Sequence, residues 1–320
     1  IKGTACVSIY GGNTPQSEYE FLTGNTISFL PSGAIAYNLY IKKDTPSLVS
    51  QLSEQGYECI AMHPEKATNF NRNQVYPRLG FLQFLTEDDF TDVVKIRELC
   101  SDQSVYDKMI DLYENKQEGQ KLFLYGVTMQ NHGGYTYEGE DFTPLVQTVG
   151  LNKTYDKVNQ YLTCMRYTDE ALENLIGYFS DVDEHVMIVM FGDHHGDVGS
   201  DFYEELYGKK LIDVEGEQYE TRYETPFFIW TNYEIGEKAD EKISLNYLST
   251  LAMQTANIPL TEYQSFLAEL QSHYPVISAA GIYDAEDNFY TWNNVEESAD
   301  YSYMKEYQIL EYYMLENYKK

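Results

Sequence analysis

The sequence predicts an α/β fold built around a largely parallel sheet. Two observations carry this expectation. Residues 46–55 show an amphipathic helical pattern and are followed by Gly56 and the apolar run 57–62, a helix-to-strand step. Three runs, 57–62, 121–129 and 185–191, are apolar almost throughout, as strands covered on both faces should be, and each ends in a polar cluster.

Along the chain, residues 5–10 read as a short strand, broken by Gly11-Gly12-Asn13. Thr14-Pro15 then has the form of a helix N-cap followed by proline at the first helical position, with the helix running through Glu18 to Leu22. His63 follows the strand 57–62, and the strand 121–129 exits into Gln130-Asn131-His132-Gly133-Gly134-Tyr135. A long helix over 155–179 gathers Leu172, Leu175, Ile176 and Phe179 on one face, and the strand 185–191 exits into Gly192-Asp193-His194-His195-Gly196-Asp197. Glu224-Thr225-Pro226 precedes a further apolar strand, 227–231, and 245–256 reads as a helix. Open α/β sheets bind ligands at the carboxyl ends of their strands, so the histidine-bearing exits are expected in one crevice. With no internal repeat and no low-complexity linker, the economical division is a core over 1–235 and a smaller C-terminal appendage over 236–320.

Composition narrows the function. Against 51 Asp and Glu stand 22 Lys and Arg, a formal net charge of -29. Such a surface repels nucleic-acid backbones, and any anionic substrate must be met by a metal or by local cations. No run of 18 apolar residues occurs, and Ile1-Lys2-Gly3-Thr4 lacks the charged and apolar regions of a signal peptide. Cys6, Cys59, Cys100 and Cys164 are widely spaced without a CxxC, which argues against a zinc knuckle; one or two disulfides would suit an exported protein, but spacing does not set their pairing. Of the 31 tyrosines many lie in the last fifty residues, where helix packing with a hydrated rim accounts for them better than sugar stacking.

Asp193-His194 after an apolar strand offers oxygen and nitrogen donors side by side, suited to Mn, Zn or Mg, although a capping aspartate beside a histidine would look the same. Thr14 follows two glycines and opens a helix, so its hydroxyl is either an ordinary cap or a nucleophile that needs a metal or base to activate it. His63 and Arg72 flank a loop able to wrap a phosphate, with the guanidinium offering paired hydrogen bonds. His132 has the chemistry of a proton donor or acceptor, and equally that of a surface histidine.

In order along residues 5–235, the block from Gly11 to Gly24, Leu30-Pro31-Ser32-Gly33, the stretch from His63 to Arg72, Leu79-Gly80-Phe81, the stretch from Thr128 to Tyr135, and Gly192-Asp193-His194 resemble the lipoteichoic acid synthases and related phosphoglycerol transferases of the sulfatase and alkaline-phosphatase group. The resemblance implies a three-layer α/β/α core, with Thr14 as nucleophile and metal ligand, Asp193 and His194 as further metal ligands, His63 and Arg72 on the substrate phosphate, and His132 in proton transfer. It implies a divalent metal, Mn first and Mg or Zn as alternatives. The donor would be a phosphatidylglycerol-like lipid headgroup and the acceptor a glycerophosphate or glycolipid hydroxyl, with no stable protein partner, at the extracellular face of a bacterial membrane. Phe70 stands where relatives often have tryptophan.

In that family a strand ending in glutamate, and transmembrane helices, come before the threonine block; here both would precede Ile1. The expectation is thus an incomplete ligand set of Thr14, Asp193 and His194, with metal weak or absent in this chain. The alternatives are a phosphodiesterase or sulfatase on the same fold, where Thr14-Pro15-Gln16 does not fit the sulfatase C/S-x-P-x-R pattern, and a non-catalytic envelope glycan or lipid sensor.

Overall fold

The structure is a computed structural model that describes residues 1–318. Strand β1 (Lys2–Cys6) leads into helix α1 (Thr14–Thr23), then α2 (Ala36–Leu39), α3 (Leu48–Glu54), β2 (Tyr57–Met62), α4 (Arg72–Leu79) and β3 (Gln83–Leu85). The hairpin of β4 (Lys95–Ile96) and β5 (Leu99–Cys100) precedes α5 (Asp102–Glu114), β6 (Lys121–Gly126), α6 (Asp156–Ser180), β7 (Met187–Phe191), α7 (Ser200–Tyr207) and α8 (Gly216–Glu220). The chain finishes with β8 (Glu224–Thr231), β9 (Glu241–Ser244), α9 (Leu245–Thr255), α10 (Glu262–His273), β10 (Val276–Ile277), β11 (Ile282–Tyr283), β12 (Phe289–Tyr290) and α11 (Tyr301–Tyr318). None of the described helices is long and apolar enough to cross a membrane.

Two compact units result, and both are discontinuous in sequence. The first comprises Ile1–Ser50, Glu184–His195 and Glu215–Lys320; the second comprises Gln51–Asp183 and Gly196–Val214. This division differs from a cut near residue 235. Within the first unit β9 pairs with β1 in parallel, and α9 packs on α1, so the C-terminal third shares the sheet and core of the opening strand.

The sheet of the first unit has the order β7-β8-β1-β9. β8 runs antiparallel to both β7 and β1, so these two strands point the same way and their carboxyl ends lie at one end of the sheet. Gly3 permits the close β1–β9 approach: a Cβ there would fall 1.9 Å from the Glu241 carbonyl oxygen. β1 stops at Cys6, short of the strand expected over 5–10, with one further bond in the β1–β8 register from the Val7 amide to the Tyr223 carbonyl at 2.8 Å. Elsewhere in this unit Tyr247, Leu267, Leu270, Tyr274, Met304 and Tyr307 form one buried cluster. Tyr307 shows how tyrosine serves such a core: its ring is buried, while its hydroxyl donates to the Gly24 carbonyl at 2.7 Å and accepts from Asn246 at 3.0 Å. Tyr312 and Tyr313 face solvent farther along α11.

The sheet of the second unit, β3-β2-β6, is parallel throughout. α5 and α6 pack on each other. β6 ends at Gly126, short of the expected residue 129, as the Val127 carbonyl is taken by the His63 ring at 2.9 Å. All four cysteines are buried free thiols.

Candidate active site

Thr14 begins α1 immediately after the Gly11-Gly12-Asn13 turn, in which Gly11 and Asn13 have left-handed backbone (φ 70° and 68°). Asn13 occupies the cap position and makes no side-chain capping bond, which corrects the expectation that Thr14 is the cap. The Thr14 hydroxyl is thereby released from its own helix and donates to Asp193 Oδ2 at 2.7 Å, across 179 positions of sequence. His194 Nε2 lies 3.5 Å from the same hydroxyl and 3.2 Å from the same carboxylate oxygen. The strand directions explain the meeting: Thr14 follows β1, Asp193 follows β7, and both strands exit at the same end.

Backbone contacts hold this arrangement. Ser17, one turn along α1, donates its hydroxyl to the Asp193 carbonyl at 2.6 Å, and the Gly11 amide donates to the His195 carbonyl at 3.1 Å. Gly192 has no room for a side chain, since a Cβ would sit 2.9 Å from Thr225 Cβ. His195 Nε2 donates to the Glu224 carbonyl at 2.5 Å, and burial pushes its pKa down, so this imidazole is neutral and structural.

His194 Nδ1 donates to the His195 carbonyl at 2.8 Å, because a carbonyl only accepts. In the neutral ring Nε2 is then the unprotonated nitrogen. Nε2 faces Asp193 Oδ2 at 3.2 Å, an ion pair when the ring is protonated and an open lone pair when it is neutral, while the single hydrogen of Thr14 is directed to the same carboxylate. A hydroxyl, a carboxylate and an imidazole are a donor set suited to a divalent metal. Among the described residues no group of three or more His, Cys, Asp and Glu side chains is gathered; the donors this chain offers here are Asp193, His194 and the threonine oxygen.

His63, Arg72 and His132 lie in the second unit. His63 is buried after β2, with its Nδ1 donating to the Val127 carbonyl at 2.9 Å. Arg72 opens α4 and is the largest fully buried side chain, at 1% exposure, with its guanidinium 5.4 Å from the Phe70 ring. Phe70 and Asn71 both have positive φ (54° and 58°), a strained pair that turns the loop into α4. Phenylalanine in place of tryptophan thus keeps a cation–π contact to Arg72. His132 is exposed, and its carbonyl accepts from Arg97 Nη2 at 2.9 Å. Glu18 is buried and accepts from the Tyr37 hydroxyl at 3.0 Å, and Asp197 accepts from the Gly199 amide at 3.1 Å, so each has a structural partner.

Arg97 was not among the sequence candidates. It sits in the two-residue turn of the β4–β5 hairpin, where Arg97-Glu98 carries neither the glycine nor the asparagine that marks such turns.

The pattern that defines the sulfatase family matches residues 2–258. The chain belongs to the sulfatase family. Within curated proteins it is similar to a putative cyclic beta-1,2-glucan modification protein of Rhizobium meliloti (strain 1021), 29% identical over 274 residues, covering 84% of this chain and 42% of that protein. It is similar to lipoteichoic acid synthase 1 of Bacillus subtilis (strain 168), 26% identical over 220 residues, covering 65% of this chain and 32% of that protein. The chain therefore spans less than half the length of these relatives. In fold it matches the Streptococcus pyogenes phosphoglycerol transferase GacH, solved in complex with sn-glycerol-1-phosphate, with a TM-score of 0.72 at 24% identity, covering 86% of this chain and 70% of that one. These likenesses bear out the predicted α/β fold and the resemblance on which the site residues rest.

Proposed function

We propose that this sulfatase-family chain transfers glycerophosphate from a phosphatidylglycerol-like donor to an acceptor hydroxyl in the bacterial cell envelope, at the outer face of the membrane. The observation that carries the reading is the Thr14 hydroxyl, freed from helix capping and bonded to Asp193 Oδ2 at 2.7 Å beside His194 Nε2. A threonine hydroxyl attacks phosphorus only when its proton has somewhere to go and the resulting charge is held.

Asp193 supplies the first requirement, since it already accepts the Thr14 proton. As the bond from Thr14 Oγ1 to phosphorus forms, the bond from phosphorus to the diacylglycerol oxygen breaks, and His132 is assigned the proton that this leaving oxygen takes up. The acceptor hydroxyl then attacks phospho-Thr14 and gives its proton to the His132 imidazole, while the bond from phosphorus to Thr14 Oγ1 breaks and Thr14 takes back the proton held by Asp193. His63 and Arg72 are assigned the phosphoryl oxygens by the family resemblance, where fixed cationic and imidazole donors stabilise growing negative charge. Thr14, Asp193 and His194 would hold a divalent metal, Mn first among candidates, which when bound lowers the pKa of the threonine hydroxyl and offsets phosphoryl charge.

The test is release of diacylglycerol from labelled phosphatidylglycerol in the presence of Mn. Thr14→Ala is expected to abolish release and to prevent label from remaining on the protein, while the thermal unfolding midpoint stays within a few degrees of the wild type. Equal release by both proteins rules out Thr14 as the nucleophile.

A further inference from the structure

Helix α11 is anchored unevenly. Its first half buries Met304 and Tyr307 in one cluster with Tyr247, Leu267, Leu270 and Tyr274, and the Tyr307 hydroxyl donates to the Gly24 carbonyl. Of residues 308–317 Glu311 alone is buried, at 0% exposure, while Ile309, Tyr312 and Tyr313 face solvent. The second half of the helix is therefore held chiefly through one side chain, and that side chain is an acid.

Its surroundings favour one charge state. Glu311 Oε2 accepts from the Thr26 amide at 2.9 Å, and the buried Oε1 has no hydrogen-bond partner among the described residues. Thr26 also donates its hydroxyl at 3.0 Å to Glu20 Oε1, so two buried carboxyl groups meet at one turn. Neither has an ion-pair partner among the described residues. The other titratable groups around them are Tyr19 of α1, Tyr263 of α10 and Tyr307 of α11, and burial pushes all three phenols up, which keeps them neutral. A carboxylate here would lack a cation, would lack a donor on one oxygen and would face a second acid, so the neutral form is the cheaper one to bury. Glu20 Oε1 collects donors from Ser8, Thr26 and Ile27 against the single donor on Glu311, which makes Glu20 the better host for negative charge and Glu311 the better host for the proton. Burial and then the Glu20 charge both push the Glu311 carboxyl well above its ordinary 4.5.

A Glu311 released into water returns to the ordinary carboxyl range, so docking takes up a proton. Its contribution is full below the released value and is lost as pH rises through the docked one.

We propose that residues 308–318 are a proton-operated clasp, docked on the turn after α1 while Glu311 is protonated and let go when it ionises. The clasp is independent of glycerophosphate transfer. What it holds is the C-terminal end of α1, the helix that opens with Thr14.

The experiment is amide hydrogen exchange, followed segment by segment at about pH 6 and about pH 9 and divided at each pH by the rate of an unstructured chain. Between these values protection over 308–318 is expected to fall about tenfold or more further in the wild type than in Glu311→Gln, while α9, buried in the same unit, changes alike in both proteins. An equal fall over 308–318 in both proteins overturns the clasp. So does a difference in α9 as large as that in 308–318, which is unfolding of the whole unit. If Glu311→Gln does not fold, the wild type decides through the side-chain carboxyl carbon resonance of Glu311, which must be that of the protonated acid at about pH 6. An ionised carboxyl at that pH overturns the proposal.

Discussion

Two threonine–carboxylate clusters in the first unit invite comparison, because they combine similar groups to opposite ends. At Glu20 the carboxylate is buried and its Oε1 accepts from the Ser8 hydroxyl at 2.7 Å, the Thr26 hydroxyl at 3.0 Å and the Ile27 amide at 3.0 Å. Close by, Glu311 of α11 is fully buried and accepts the Thr26 amide at 2.9 Å. At Asp193 the side chain is 36% exposed, and the Thr14 hydroxyl shares its Oδ2 with an imidazole nitrogen. The first cluster uses its donors to hold α1, the following turn and α11 together. The second gathers a hydroxyl, a carboxylate oxygen and an imidazole nitrogen around one half-exposed side chain. The three donors on Glu20 Oε1, more than residue type, separate that carboxylate from Asp193, although Glu311 beside it keeps a buried Oε1 with no hydrogen-bond partner among the described residues.

The comparison is most easily broken at Asp193. Asp193→Asn keeps the shape but removes the charge and the proton acceptor, so transfer should fall about a thousandfold, in the range of a lost charge-stabilising group. Mn affinity measured by titration calorimetry should fall with it. An Asp193→Asn variant that keeps turnover within a few fold of the wild type would place Asp193 with the structural carboxylates.

Glu20 should produce a pH effect on stability instead. Burial, opposed by its hydrogen bonds, pushes its carboxyl up to about 7 from an ordinary 4.5. Between these values the folded chain keeps a proton that the unfolded chain releases, so this contribution is full below the unfolded value and is lost as pH rises toward 7. Complete loss corresponds to about 3 kcal/mol. Glu220, also buried and pushed up to about 7, adds a slope of the same sign. Urea unfolding from about pH 4.5 to about pH 8 should therefore show falling stability, and Glu20→Gln should flatten part of the slope. A slope unchanged by that substitution would show that Glu20 titrates alike in both states.

The smallest effect is expected at Ser8→Ala, which removes one of several donors to Glu20. Stability should drop by about 1 kcal/mol, the usual net value of one buried hydrogen bond, with turnover unaltered. A matching loss of transfer activity would mean that the Glu20 cluster and the Thr14 turn are coupled more tightly than their hydrogen bonds show.

Much of this was legible beforehand where local signals were strong. The expected strand over 57–62 coincides with β2, and the helix expected over 155–179 is α6, Asp156–Ser180. Apolar runs and 3.6-residue periodicity are local properties, so they survive into the fold. The reversed direction of β8, between β7 and β1, has no local signature, because an apolar strand reads the same either way. Thr14 looked like a cap because the preference of threonine and proline for helix starts is real; the turn at Asn13 displaced it by one position. Arg97-Glu98 lacked every hairpin cue, and only long-range bonds to the 130–132 loop account for its backbone.

By itself the sequence determined the chemistry available: a threonine after paired glycines, an Asp-His after an apolar strand, and a surface so acidic that an anionic substrate requires cations. Those are properties of residues and of near neighbours. The tertiary structure alone decided that residues 14 and 193 share a proton, since their separation depends on strand order and direction, and that Arg97 is buried against the carbonyls of Gln130 and His132. Long-range pairing is set by the packing of whole elements, and no stretch of chain carries it in its own composition.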